Sequence, residues 1–162
     1  MIFVTVGTQK FPFDRLLKAV DEMAGAEDWT EEIFAQIGCS SYTPIHYKYV
    51  KFLDADILTA RMCESDLIIT HGGVGTLVNA LKSGSKVIAV PRIAKYGEHV
   101  NDHQLQILDK MAEKNYCYCL YDCSKLADAV REVRKRTYNN FDINHQNLID
   151  DIDAYIQKEI LK

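Results

Sequence analysis

The sequence has no apolar run near the ~20 residues that a membrane span requires. It has no leader pattern either: "MIFVTVGTQ" lacks a basic flank and meets a glycine after six residues. These two absences predict a cytoplasmic chain. An excess of positive charge is also missing. Lys+Arg number 19 against 23 Asp+Glu, for a net charge of −4, which argues against a nucleic-acid partner held by global charge. No repeat, low-complexity tract or Gly/Ser linker divides the 162 residues. Residues 1–162 are therefore expected to form one domain, long enough to bury a sizeable core. Five cysteines are present but unpaired in pattern: Cys39, Cys63, Cys117, Cys119 and Cys123. "CYCLYDC" is not the doubled CxxC of a zinc site, so packing thiols are expected, with Cys117 and Cys119 on one face of a strand.

What the sequence does have is alternation. Apolar content is 48% and charged content 26%, ordinary values for a globular protein. "MIFVTV" reads as a buried strand. "FDRLLKAVDEMA" follows with Phe13, Leu16, Leu17, Val20 and Met23 at helical spacing. "EEIFAQIG", "VKFL", "LIIT", "KVIAVP" and "YCYCL" read as further strands. "DADILTARMCESD" reads as a helix with Ile57, Ala60 and Arg61 near one face. "GTLVNALKSG" reads as a helix closed by Gly84, and "NDHQLQILDKMAEKN" as one with Leu105, Leu108 and Met111/Ala112 as its stripe. "SKLADAVREVRKRTY" opens on an N-cap serine, and a last helix is expected over "HQNLIDDIDAYIQKEIL". Alternating strands and helices predict an α/β fold: Rossmann-like, with a mainly parallel sheet and helices on both faces.

Such folds bind ligands beyond the carboxyl ends of their strands. Three turns lie there. "THGGVGT" places Gly72, Gly73 and Gly75 before a helix. Glycine lets backbone amides approach a ligand closely, and the helix start presents free N–H groups and partial positive charge. An anion site results, and phosphate is its usual guest. The nicotinamide fingerprint fails, because Thr76, Leu77 and Val78 follow where a third small residue is needed, and a Walker A GK[ST] is absent. The turn "PRIAKYGEHVNDHQ" crowds Glu98, His99, Asn101, Asp102, His103 and Gln104 at a helix start. His99 and His103, four apart, could share a helix face as metal ligands; the amides and carboxylates suit sugar hydroxyls better, and capping of the helix by Asn101 or Asp102 is the plainer alternative. The first turn supplies Gly7 and Thr8, then Phe11 and Phe13, which suit either the core or a partner surface.

The ordered motifs "VTVGT", "SDLIITHGGVGT" and "DHQ" resemble the C-terminal, MurG-like donor-binding domain of glycosyltransferase family 28. With "MIFVTVGTQKFPFDRLL" at the start, the chain looks like the small PssE-like subunits of two-component bacterial polysaccharide glycosyltransferases. The resemblance implies one half of a GT-B enzyme: an inverting hexosyltransferase subunit that binds a UDP-sugar. It also implies a membrane-associated acceptor-binding subunit that recruits the chain to the inner face of the membrane. There the pair would extend a polyprenyl-diphosphate-linked saccharide in exopolysaccharide or capsule synthesis. A non-catalytic nucleotide-sugar-binding or regulatory subunit is the alternative.

By the same resemblance, Gly7, Thr8, Gly72, Gly73, Gly75 and Thr76 would surround the donor diphosphate. Leu53 would offer backbone contacts to uracil, and His103 and Gln104 would lie by the sugar hydroxyls. The chain departs from the family at Asn79, where an acidic residue often meets the ribose, and at Ile107, where an asparagine is expected. UDP departs as an anion, so N–H groups aimed at the diphosphate can stabilise transfer without a metal or other cofactor. "DAD" at 54 to 56 sits at a helix start, where acidic residues are expected anyway. Glu98, His99 and His71 are the candidate general bases on this chain. "REVRKR", Arg131 to Arg136, reads as a solvated helix end, with contact to anionic lipid as the lesser alternative.

Overall fold

A computed structural model describes residues 1–141. Six parallel strands form one sheet: β1 (Ile2–Thr5), β2 (Ile33–Gln36), β3 (Lys48–Val50), β4 (Leu67–His71), β5 (Lys86–Val90) and β6 (Tyr118–Cys119). Their spatial order is β3-β2-β1-β4-β5-β6, the doubly wound order. The chain runs outward from β1 through β2 to β3, then returns to place β4 on the other side of β1. That reversal opens a crevice at the carboxyl ends of β1 and β4.

Among the described residues four helices connect strands, α1 (Asp14–Ala24), α2 (Ala55–Glu64), α3 (Val74–Lys82) and α4 (His103–Glu113), and a fifth, α5 (Leu126–Lys135), follows β6. Alternate strand residues face opposite sides, and here both sides are apolar. Ile2, Val4, Leu67, Ile69, Ile88 and Val90 pack with α1 and α5. Phe3, Ile68, Val87 and Ala89 pack with Met62 of α2, with Leu77 and Ala80 of α3, and with Leu108 and Met111 of α4. A sheet covered on both faces reads as continuous apolar runs, which is how "MIFVTV" and "KVIAVP" read. All five apolar residues singled out around α1 are buried.

Several local expectations change. β3 covers Lys48–Val50 rather than "VKFL", because it is an edge strand whose Lys48 and Tyr49 are exposed and give no buried pattern. On α2, Ile57 faces solvent and Met62 is the buried residue. The α4 stripe runs through Gln104, Ile107, Leu108 and Met111, with Ala112 exposed. Asp122, not Ser124, is the capping side chain before α5: it accepts the Ser124 N–H at 3.0 Å, and Cys123–Lys125 form a 3-10 turn. Gly84 takes a φ of +80° just beyond α3, as its closing role requires. Cys39 and Cys63 are exposed, so packing accounts for the other three cysteines only. The expected helix over residues 145–161 lies outside the described residues.

Candidate functional site

The three turns predicted to share one edge do share it: they follow β1, β4 and β5. Beneath them lies a lattice of buried polar groups at the strand ends. Thr5 Oγ1 accepts the Gly7 N–H at 3.3 Å and the Gln36 Nε2–H at 3.2 Å. Thr70 Oγ1 donates to the Thr5 carbonyl at 3.1 Å. Gln36 Oε1 accepts the Leu53 N–H at 2.8 Å. The segment expected to read a base is thus tied to the sheet through Leu53, and the Leu53 N–H is already engaged.

His71 ends β4, and its imidazole fills the space under two turns. A Cβ at Gly73 would stand 2.3 Å from His71 Nε2, and one at Gly7 2.5 Å from His71 Cε1. A Cβ at Gly72 would meet the Gln104 side chain and Leu108 at 3.1 Å. These three glycines have an internal reason to be glycine. Gly75 has none among the described residues, since none of their atoms would lie within 4 Å of a Cβ placed there. It sits exposed at the second residue of α3, where glycine costs a helix roughly 0.5–1 kcal/mol relative to alanine. Gly73 is the N-cap residue, no side chain caps the helix, and its first turn carries no acidic residue. The start of α3 is therefore open to an anion. Thr76 is half-buried on the same turn and Thr8 is exposed on the facing one. Asn79 lies exposed further along α3.

Burial and, next, the Arg92 charge lower the His71 pKa to about 4. Its Nδ1 is buried with no partner among the described residues. The ring is neutral at physiological pH and too weak a base to take a proton there. A neutral imidazole at the floor of an anion site can serve as an N–H donor.

Glu98 is 3% exposed and fully engaged. Its Oε1 accepts Arg15 Nε–H at 2.9 Å, and its Oε2 accepts Arg15 Nη2–H at 2.9 Å and the Ile93 N–H at 3.0 Å. Arg15 also donates to the Pro91 carbonyl at 3.1 Å. This pair binds the third turn to α1, so Glu98 works as an anchor there rather than as a base exposed to an acceptor. His99 is half-buried, tilted against Phe11 with ring centres 5.7 Å apart, and its Nδ1 lies 3.4 Å from the Asn101 N–H. It is the candidate base that reaches the surface. His99 lies outside α4, so it does not share a helix face with His103. Asn101 Oδ1 accepts the His103 N–H at 3.2 Å at the start of α4, and Asp102 Oδ1 accepts the Ala94 N–H at 2.7 Å. Gln104 is buried, and its Oε1 accepts the Arg92 N–H at 3.0 Å. Phe13 is fully buried and belongs to the core.

Three side chains that shape the site carry no motif: Arg15, Gln36 and Arg92. The available signal is polarity at the end of a buried run, in "IFAQ" and "VIAVPR". The cations of Arg131–Arg136 are largely matched at the surface. Arg131 pairs with Asp28 and Asp128, Arg134 with Glu31 and Arg136 with Glu132.

Fold and site together define a doubly wound α/β domain with an anion-ready helix start at its switch point. The chain belongs to the glycosyltransferase family 28 C-terminal domain family, whose model matches residues 1–158. The human UDP-N-acetylglucosamine transferase subunit ALG13 is 28% identical over 130 residues, which make up 73% of this chain and 11% of that protein. The chain thus spans a small part of that relative's length. The glycotransferase of kitacinnamycin superposes with a TM-score of 0.62 at 17% identity, over 83% of this chain and 35% of its own. CalG4, the calicheamicin glycosyltransferase, superposes with a TM-score of 0.61 at 15% identity, over 97% of this chain and 43% of its own. At such identities the likeness is one of fold, and the fold is that of one half of a GT-B glycosyltransferase.

Proposed function

We propose that this chain is the donor-binding subunit of a UDP-sugar-dependent glycosyltransferase of the inverting hexosyl type. In this reading it works with a membrane-associated acceptor-binding subunit to extend a polyprenyl-diphosphate-linked saccharide during exopolysaccharide or capsule synthesis. The observation that carries the reading is the uncapped start of α3 facing the first turn across the switch point, with Gly75 left open there. Family membership and the transferase-subunit relative support it.

The diphosphate would take N–H groups from the first turn of α3 and from Thr8, with the Thr76 hydroxyl beside it and Gly7, whose N–H is held by Thr5 Oγ1, allowing close approach. Charge grows on the leaving UDP, and donors aimed at it lower the barrier. No metal is required in this scheme, so a chelator should leave the rate unchanged. Leu53 would present its carbonyl side to the base, Asn79 and His103 would face ribose and sugar hydroxyls, and Gln104, buried with its Oε1 on the Arg92 N–H, would have only its Nε2 left for a hydroxyl. Tyr96 and Val100 leave apolar surface exposed on the same edge, at 56% and 73%, where an acceptor subunit would close the cleft.

Of the three candidate bases, His71 is buried and too weak a base, and Glu98 is buried and held by Arg15 and the Ile93 N–H. That favours either His99 or a group on the partner as the base. In the second case this chain binds donor and its partner completes the catalytic set. The test is transfer from a panel of UDP-sugars to a polyprenyl-linked acceptor. Both subunits together should turn over, and this chain alone should not. Loss of turnover in His99→Ala places the base here, and full activity in that variant places it on the partner. Robust transfer by this chain alone contradicts the divided arrangement.

A further inference from the structure

We propose that Arg92 is the positioning residue of the donor site, whose guanidinium locks the first and third turns at the spacing that receives a diphosphate. The inference rests on the donor-binding reading above. Arg92 is wholly buried. Its Nη1 donates to the carbonyls of Phe11 at 2.9 Å, Pro12 at 3.1 Å and Glu98 at 3.1 Å. Its Nη2 donates to the Val6 carbonyl at 2.6 Å. The guanidinium also lies 4.8 Å from the centre of the Phe13 ring. One planar fork therefore holds both ends of the first turn and the middle of the third. The residue's own N–H holds Gln104, which packs against Gly72. The side chain thus joins the first and third turns, and the backbone of the same residue reaches the second through Gln104.

Its charge is the second observation. Arginine is rarely buried without a carboxylate, yet Arg92 makes no salt bridge among the described residues, because the Glu98 carboxylate is taken by Arg15. Backbone carbonyls solvate the cation without neutralising it. A cation so held, out of water and behind the turns, adds attraction for a dianionic guest in a medium that screens weakly. The field already reaches the floor of the site, where Arg92 helps to keep His71 neutral. Arg92 and His99 are the charged or titratable groups acting on that ring.

The test uses the full chain, UDP as the probe, and two substitutions. Arg92→Lys keeps the charge and loses the fork; Arg92→Met loses both. Circular dichroism melts establish which variants fold. By calorimetry, wild type binds UDP, Arg92→Lys binds about tenfold more weakly, and Arg92→Met weaker still. By NMR, His71 titrates at a higher pH in Arg92→Met than in Arg92→Lys, a difference that loss of packing alone does not produce. Equal UDP affinity in wild type and folded Arg92→Met overturns the inference and leaves donor binding standing. No UDP binding by wild type overturns the donor-binding reading and the inference with it. Should neither variant fold, the wild-type guanidinium protons decide. Slow exchange without UDP marks a preorganised fork, and fast exchange overturns it.

Discussion

Gly75 stands near the start of a nine-residue helix with open space where a side chain would go. Its cost to the helix has no return among the described residues, and under the proposed function the return comes from the ligand. Gly75→Ala should stabilise the free protein by roughly 0.5–1 kcal/mol and weaken UDP binding. Urea denaturation and calorimetry measure the two sides, and unchanged affinity would remove Gly75 from the site. Gly73 differs, because a Cβ there strikes the His71 ring. His71 sets a second residue-scale expectation. Its pKa falls from an ordinary 6.5 to about 4 in the folded state, so between those values the unfolded chain binds more protons. Stability is then complete above pH ~6.5 and declines as pH falls towards 4, by on the order of 3 kcal/mol. Urea midpoints at pH 7 and pH 4.5 check this in wild type and in His71→Gln, where the decline should shrink. A flat profile in wild type contradicts it.

Elements that bury both faces of the sheet were legible, because five strands carry continuous apolar runs and α1 carries a clean stripe. Edges were not. β3 packs on one neighbour only and so leaves no buried pattern, and α2 buries little beyond Met62. The α4 stripe departs from the apolar spacing because a buried glutamine, Gln104, starts it. The glycine turn was legible as a site, but the reason for each glycine was not, since that reason is a histidine ring placed by tertiary packing. Arg15 with Glu98, and Gln36 with Leu53, join residues distant in sequence, and no local spacing encodes such pairs. The loop of residues 40–47 shows the same long-range logic. Buried Asp21 is pushed up by burial but pulled lower overall by the His46 and Ile45 N–H groups and the Tyr42 hydroxyl. Its contribution is present above the ordinary carboxylate range and is lost as acid protonates it. Asp21→Ala should cost roughly 2–3 kcal/mol and speed amide exchange at Ile45 and His46. Unaltered exchange there would mean that the loop is held some other way.

As a whole, the described residues form a sheet whose buried polar side chains, Thr5, Gln36, Thr70 and His71, gather at one edge, around a helix start that no side chain among them caps. Half of a GT-B enzyme has this form, and under the proposed function such a half should bind its donor before it meets an acceptor-binding subunit. The central claim is that the start of α3 holds the diphosphate. Calorimetric titration of the purified chain with UDP and with uridine tests it most directly. UDP should bind at least tenfold more tightly than uridine, by about 1.4 kcal/mol or more, and Thr76→Val should narrow that gap. Equal affinity for UDP and uridine, or no affinity for either, would contradict the account.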